Sequence, residues 1–140
     1  MRRIYSNRKL CSGCKACSVA CSIAHNGTAD MSRGAIQILR DGFHGYEFQA
    51  VCRQCADADC VSACMAAALS REPGTGRVIF ERDRCVGCWM CLMLCPHHAI
   101  TRDEAAGKAI RCDQCEGRDI PACVTACATA ALDYVDEPEA

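Results

Sequence analysis

The rhythm of the cysteines constrains this chain more than any other feature. Sixteen of its 140 residues are cysteine, and they fall in four groups of four. The first, CSGCKACSVAC, holds Cys11, Cys14, Cys17 and Cys21. The second, CRQCADADCVSAC, holds Cys52, Cys55, Cys60 and Cys64. The third, CVGCWMCLMLCP, holds Cys85, Cys88, Cys91 and Cys95, and the fourth, CDQCEGRDIPACVTAC, holds Cys112, Cys115, Cys123 and Cys127. Groups one and three follow C-x2-C-x2-C-x3-C. Groups two and four widen the middle gap, and all four close with C-x3-C.

Three thiolates spaced by two residues can wrap a loop around three corners of an iron–sulfur cube. The fourth, three residues on, begins a helical turn that points away and reaches a second cube, so that paired runs exchange their fourth ligands. Sixteen thiolates make four complete sites, and the expected cofactors are four [4Fe–4S] clusters. Two other uses of cysteine compete. Zinc sites also use C-x2-C pairs, but they separate two pairs by a long spacer instead of crowding a third thiolate close by. A disulfide framework belongs to an oxidising compartment. Here Arg2-Arg3 is followed by Ile4-Tyr5-Ser6-Asn7-Arg8-Lys9, not by the apolar core of an export signal, so a cytoplasmic, thiol-reducing location is expected.

Composition supports a metal-filled interior. Aromatic residues are 5% of the chain, with a single Trp, so the rings that usually dominate burial are scarce. The 51% apolar fraction includes the cysteines; without them it is about 40%, thin for a self-sufficient core. A net charge of −1 offers no basic excess for nucleic acid. The longest stretch free of Asp, Glu, Lys and Arg, from Cys85 to Thr101, is too short to cross a bilayer, so no direct membrane insertion is expected.

The groups form an internal repeat. MAAAL (65–69), PHHAI (96–100) and ATAAL (128–132) each come directly after a fourth cysteine, and each reads as one helical turn leading into a strand. Hairpins are expected for Leu69–Glu72 with Arg77–Phe80, and for Ile100–Arg102 with Lys108–Arg111. A third joins Ala35–Leu39 to Tyr46–Val51 across Asp41–Gly45. Arg3–Tyr5 and Leu132–Val135 are short strands that could pair and bring groups one and four together. The expected fold is α+β, two nested ferredoxin-like halves with short helices and β-hairpins around four clusters. Residues 52–111 form the inner two-cluster half, 1–30 plus 112–135 the outer half, and 31–51 a hairpin insertion, all in one polyferredoxin domain.

The order of the groups, with Cys52-Arg53-Gln54-Cys55, Cys85-Val86-Gly87-Cys88, and Cys112-Asp113-Gln114-Cys115 leading to Pro121-Ala122-Cys123, resembles the four-cluster electron-transfer subunits of the dimethyl sulfoxide reductase type. Within that superfamily the chain is most similar to compact members, the ferredoxin-like subunit of carbon monoxide dehydrogenase and the small subunit of tungsten aldehyde oxidoreductases. Met65 and Ala128 depart from the family's usual proline after the fourth cysteine. The resemblance implies the ligand sets. Cys11, Cys14 and Cys17 would share a cluster with Cys127, and Cys112, Cys115 and Cys123 with Cys21. Cys52, Cys55 and Cys60 would take Cys95, and Cys85, Cys88 and Cys91 would take Cys64.

It also implies an electron conduit and not an enzyme. With every thiol ligating, no cluster keeps an open position, and no phosphate loop or nucleophile motif is present. The expected partners are a catalytic redox subunit (carbon monoxide dehydrogenase, aldehyde oxidoreductase, hydrogenase or similar) and a second electron carrier. Docking would occur over an end cluster through an apolar, cysteine-adjacent surface. The alternatives are a free polyferredoxin without a dedicated partner, or a zinc-binding interaction module. Four oxidised clusters would carry the net charge to about −9, which Lys15, Arg53, Arg84 and Arg111 would partly offset. His25, His97 and His98 lie beside ligands, where they either hydrogen-bond cluster sulfur or simply end helices at the surface. Met90 and Met93 are expected to pack on a cluster.

Overall fold

The structure, a computed structural model, describes residues 1–43 and 47–136. Tyr46 and the acidic Glu137-Pro138-Glu139 lie outside the described residues.

Four antiparallel ribbons of two strands each carry the architecture. Strand β1 (Arg2–Ser6) is followed by α1 (Ala16–Asn26), then by the hairpin β2 (Gln37–Arg40) and β3 (Glu47–Ala50). The one-turn helix α2 (Asp59–Ala63) leads to the hairpin β4 (Leu69–Arg71) and β5 (Val78–Phe80). Helix α3 (Met90–Leu94) leads to β6 (Ile100–Asp103) and β7 (Lys108–Arg111), and α4 (Ala122–Ala126) to β8 (Leu132–Asp136). Each hairpin forms where turn-forming residues separate two β-prone runs. β1 pairs with β8 from Arg2 opposite Asp136 to Ser6 opposite Leu132, so the two ends of the chain share one ribbon. Helix α1 packs on α4, and α2 on α3. The result is a mixed α+β fold of short helices and antiparallel hairpins.

The one-turn helices sit on the other side of the fourth cysteine from where the sequence pattern puts them. α2, α3 and α4 precede Cys64, Cys95 and Cys127, which cap their C-terminal ends in extended conformation. A turn, not a helix, comes after each of these cysteines. It is closed by bonds from the N–H of Ala67, His98 and Ala130 to the carbonyls of Cys64, Cys95 and Cys127 at 3.2, 3.3 and 3.3 Å. Those three residues have φ of 52°, 52° and 54°, and a right-handed helix cannot propagate through a left-handed residue. Pro96 therefore occupies the second position of a turn, where its fixed φ also fits. The next two residues of each turn plunge inward: Ala68-Leu69, Ala99-Ile100 and Ala131-Leu132 are all buried.

The interior is built from small groups. Of the twenty apolar residues buried among the described ones, seven are cysteine and six are alanine, and none is Phe, Tyr or Trp. One buried cluster joins Ile4, Ile36, Val51 and Leu132 to Cys17, Cys21, Cys52, Cys112 and Cys123. A second joins Leu69, Val78, Ile100 and Ala109 to Cys91. No helix among the described residues is long and apolar enough to cross a membrane.

Candidate metal centre

The four cysteine loops come in two backbone types. In groups one and three, the residue before the second cysteine is a glycine at positive φ (Gly13, 72°; Gly87, 73°), and the residue after it is also left-handed (Lys15, 63°; Trp89, 64°). In groups two and four a glutamine takes the glycine's place, Gln54 at 48° and Gln114 at 59°. Left-handed residues turn successive N–H groups to one side of the loop, a concavity suited to anionic sulfur. The glycine of the third loop is required twice over. A Cβ on Gly87 would lie 2.4 Å from the carbonyl oxygen of Gly107 at the β6–β7 turn. Gly87→Ala is therefore expected to cost roughly 2 kcal/mol or more, the strain of a forced backbone. Thermal unfolding of the metal-loaded protein measures it.

Three cavities are each lined by four thiols. One is lined by Cys52, Cys55, Cys60 and Cys95, a second by Cys85, Cys88, Cys91 and Cys64, and a third by Cys11, Cys14, Cys17 and Cys127. In each, three sulfurs come from one cysteine group and the fourth from another. The remaining four cysteines are also neighbours: Cys112 feels the charges of Cys123 and Cys21, and Cys123 those of Cys21 and Cys115. The sets adjoin one another as well. Cys123 also feels Cys17, and Cys112 feels Cys52.

All sixteen cysteines are free thiols. Burial pushes Cys17 and Cys91 up to about 11 and Cys123 to about 12, and it raises the fully enclosed Cys112 well above its ordinary value. Such thiols ionise only when a cation compensates them, as a bound metal does. Donors already face the sulfurs. The amides of Ala35, Ala68 and Gln114 lie 3.3, 3.2 and 3.3 Å from Cys21, Cys64 and Cys112, and those of Gln54 and Ala109 lie 3.5 Å from Cys52 and Cys85. At Cys127, burial is outweighed by the Thr129 hydroxyl and by the amides of Leu132 and Ala131, which bring the thiol below its ordinary value.

The other residues singled out by sequence divide. Arg111 donates to Cys52 Sγ at 3.3 Å and to the Val78 carbonyl at 2.8 Å. Lys15 sits in the first thiol loop, and Arg53 lines the cavity of Cys52. Arg84 instead pairs with Glu81 at 3.1 Å. His25 is bound on both sides: Nδ1 lies 2.9 Å from the Cys21 carbonyl and 3.8 Å from its Sγ, while Nε2 meets Asp113 at 2.9 Å. The Asp113 bond, then the Cys21 contact, raise its pKa to about 11. Burial, then the Arg53 charge, lower that of His97. Met90 and Met93 do not pack inward; both are exposed, because α3 turns Cys91 to the interior and leaves them on the opposite side.

Gln54, Gln114 and Asp113 are functional neighbours to which the sequence pattern assigns no role. Gln54 is 1% exposed, and its Oε1 accepts from the Val78 amide at 2.9 Å. Gln114 is 3% exposed and donates to the Arg2 carbonyl at 3.2 Å. Asp113 accepts from the Cys115 amide at 2.8 Å. The repeated C-x-Q-C of groups two and four was the available signal. Gln54 Nε2 and Arg111 Nε are buried without a partner. These orphaned donors beside Cys52, together with convergent thiols and sulfur-facing amides, are what an anionic iron–sulfur group requires of its site.

Thiol-lined cavities strung through a small α+β fold define the class of iron–sulfur proteins. The chain belongs to the 4Fe-4S dicluster domain family, which matches residues 43–137. It is 42% identical to the NADH-dependent phenylglyoxylate dehydrogenase subunit beta of Aromatoleum evansii over 89% of this chain, but spans only 28% of that subunit's length. It is 34% identical to the electron transport protein HydN of Escherichia coli (strain K12), over 96% of this chain and 88% of that one. Among solved structures, it superimposes on a chain of the active site complex BamBC of benzoyl coenzyme A reductase with a TM-score of 0.59 at 20% identity, covering 96% of this chain and 79% of that one.

Proposed function

We propose that this chain is a four-cluster electron-transfer subunit, with sixteen cysteines holding four [4Fe–4S] clusters by exchanged ligation. Cys11, Cys14, Cys17 and Cys127 form one set, and Cys21, Cys112, Cys115 and Cys123 the next. Cys52, Cys55, Cys60 and Cys95 form the third set, and Cys64, Cys85, Cys88 and Cys91 the fourth. The nested-half organisation, residues 52–111 within 1–30 plus 112–135, is the chain path this ligation requires. The observation that carries the reading is the convergence of four-thiol sets whose fourth sulfur comes from another cysteine group. Clusters bound there supply one-electron redox chemistry and no open coordination site.

The protein's own residues set the path. Cys17 beside Cys123, Cys52 beside Cys112, and Cys60 and Cys95 in one buried cluster with Cys64, Cys85 and Cys91 bring each set next to the one that follows it, so electrons would pass along the four in turn. Arg111 and the sulfur-facing amides stabilise added negative charge. Relatives named as electron transport proteins and oxidoreductase subunits support a carrier role beside a catalytic partner. The end set around Cys88 suits that partner. Its thiol is exposed, and Met65, Met93 and Val86, each within two residues of a cysteine of this set, are 82%, 74% and 70% exposed. No charged side chain occurs from Cys85 to Thr101, the desolvated character of a lasting subunit contact. Unpaired thiols fit the reducing cytoplasm.

Iron and acid-labile sulfide analysis of anaerobically purified protein tests the reading. About sixteen of each per chain are expected. Colourless protein with stoichiometric zinc would overturn it.

A further inference from the structure

The two ends of the path differ in chemistry. Along Cys85–Cys91 the chain itself has no charged residue and Val86 is exposed, while Lys108 is tied to the Cys85 carbonyl at 2.6 Å and Arg102 lies over the Trp89 ring at 5.5 Å. Around Cys11 and Cys14 the surface is cationic: from Met1 to Ala29 the chain has five Lys or Arg residues and no Asp or Glu. Arg8, Lys9 and Lys15 are exposed and flank the half-buried Cys11 and the exposed Cys14. The turn that presents Arg8 and Lys9 is built in. Leu10 N–H bonds the Asn7 carbonyl at 3.1 Å, Lys9 N–H bonds Asn7 Oδ1 at 3.1 Å, and Asn7 N–H ties the turn to Ala131 at 2.7 Å. Arg8 lies over the Phe48 ring at 4.4 Å. Lys9 and Lys15 form no ion pair among the described residues. The acids of β8 sit further along the ribbon, with Asp133 opposite Tyr5 and Asp136 opposite Arg2.

We infer that this cationic rim around Cys14 is the docking surface for a second, transient partner: a small acidic redox protein that exchanges electrons with the set of Cys11, Cys14, Cys17 and Cys127. The inference rests on the proposed ligation and extends it to the identity of the second carrier. The loaded protein, at about −9, repels an acidic partner from most of its surface. A local cationic rim then orients the encounter and brings the partner's centre against the exposed Cys14 thiol. Charge of this kind raises association rate more than affinity, as a diffusing carrier needs. An anionic membrane is the other surface that attracts lysine and arginine, but such recognition uses clusters of about four to eight cations. The rim has three.

The test uses the metal-loaded full chain and two reductants: a reduced acidic two-cluster ferredoxin, and the cationic methyl viologen radical. Rates are followed by stopped flow from about 0.02 to about 0.5 M salt. With ferredoxin, the rate should fall roughly tenfold across the series, and the viologen rate, set by the net charge of the whole protein, should not depend on the rim substitutions. Lys9→Gln/Lys15→Asn, the asparagine chosen for its tolerance of positive φ, should slow ferredoxin roughly fivefold or more at low salt and flatten the salt dependence. Lys9→Glu, outside the thiol loop, should do the same. Arg118→Glu, an equal two-unit charge change elsewhere, should not. A salt-independent ferredoxin rate in wild type, equal slowing by Arg118→Glu, or rim-dependent sedimentation with phosphatidylglycerol vesicles but no effect on ferredoxin would each overturn the docking surface. Iron content and viologen reduction report on the clusters themselves, so failure of the ligation is read separately.

Discussion

Chelating the iron is expected to abolish cooperative unfolding, not merely lower the midpoint. Thirteen of the twenty buried apolar residues are cysteine or alanine, and no aromatic ring is buried among them. Alanine buries little area, and isolated two-stranded ribbons are marginal in water. Three of the thiol sets thus surround space that protein atoms do not fill. With iron bound, the sets become covalent crosslinks between segments far apart in sequence, and the free energy of metal binding becomes free energy of folding. Far-ultraviolet dichroism on heating should show one sharp transition before chelation and a broad drift afterwards. An iron-free protein that keeps a sharp thermal transition would refute this dependence.

Cys21→Ala has the second largest expected effect, and its location is informative. Cys21 belongs by sequence to the group of Cys11, Cys14 and Cys17, but its sulfur lies among Cys112 and Cys123. It also accepts from the Ala35 amide at 3.3 Å, one helical turn along α1 from Cys17. The variant should lose about four of sixteen irons. The loss should fall on the set of Cys112, Cys115 and Cys123, leaving Cys11, Cys14 and Cys17 with Cys127. Cys127→Ala should produce the converse. Mössbauer or paramagnetic resonance spectra of the two variants distinguish the patterns, and loss confined to the Cys11–Cys17 loop in Cys21→Ala would sink exchanged ligation.

The hairpins were legible because their signals are local. Pro73-Gly74-Thr75-Gly76 and Ala106-Gly107 sit between β-prone runs, and β4–β5 and β6–β7 form there. The pairing of β1 with β8 was also legible, through the repeat that places the terminal groups together. The turn after each fourth cysteine was not. Ala67 and Ala130 are good helix formers locally, and nothing in an alanine announces a left-handed φ. Tertiary demands impose it: the backbone must fold back so that the next two residues enter the core. Met93 misled for a related reason. Its neighbour Leu92 packs with Cys91 in the second buried cluster, so Met93 is left on the outer surface. Gln54 and Gln114 were hidden because a glutamine between cysteines reads as surface until its burial is known.

The ribbon that joins Arg2–Ser6 to Leu132–Asp136 has a consequence for biosynthesis. A ribosome delivers β1 well before β8, so Arg2–Ser6 waits until Leu132–Asp136 has been translated before it finds its neighbour. The segments of the inner hairpins, up to Arg111, are complete before α4 and β8 leave the exit tunnel. Maturation of the nascent chain therefore runs from the middle outward. A premature stop anywhere between Arg111 and Leu132 spares the central hairpins but leaves both the oldest strand and the cysteines beside it without their closing segment.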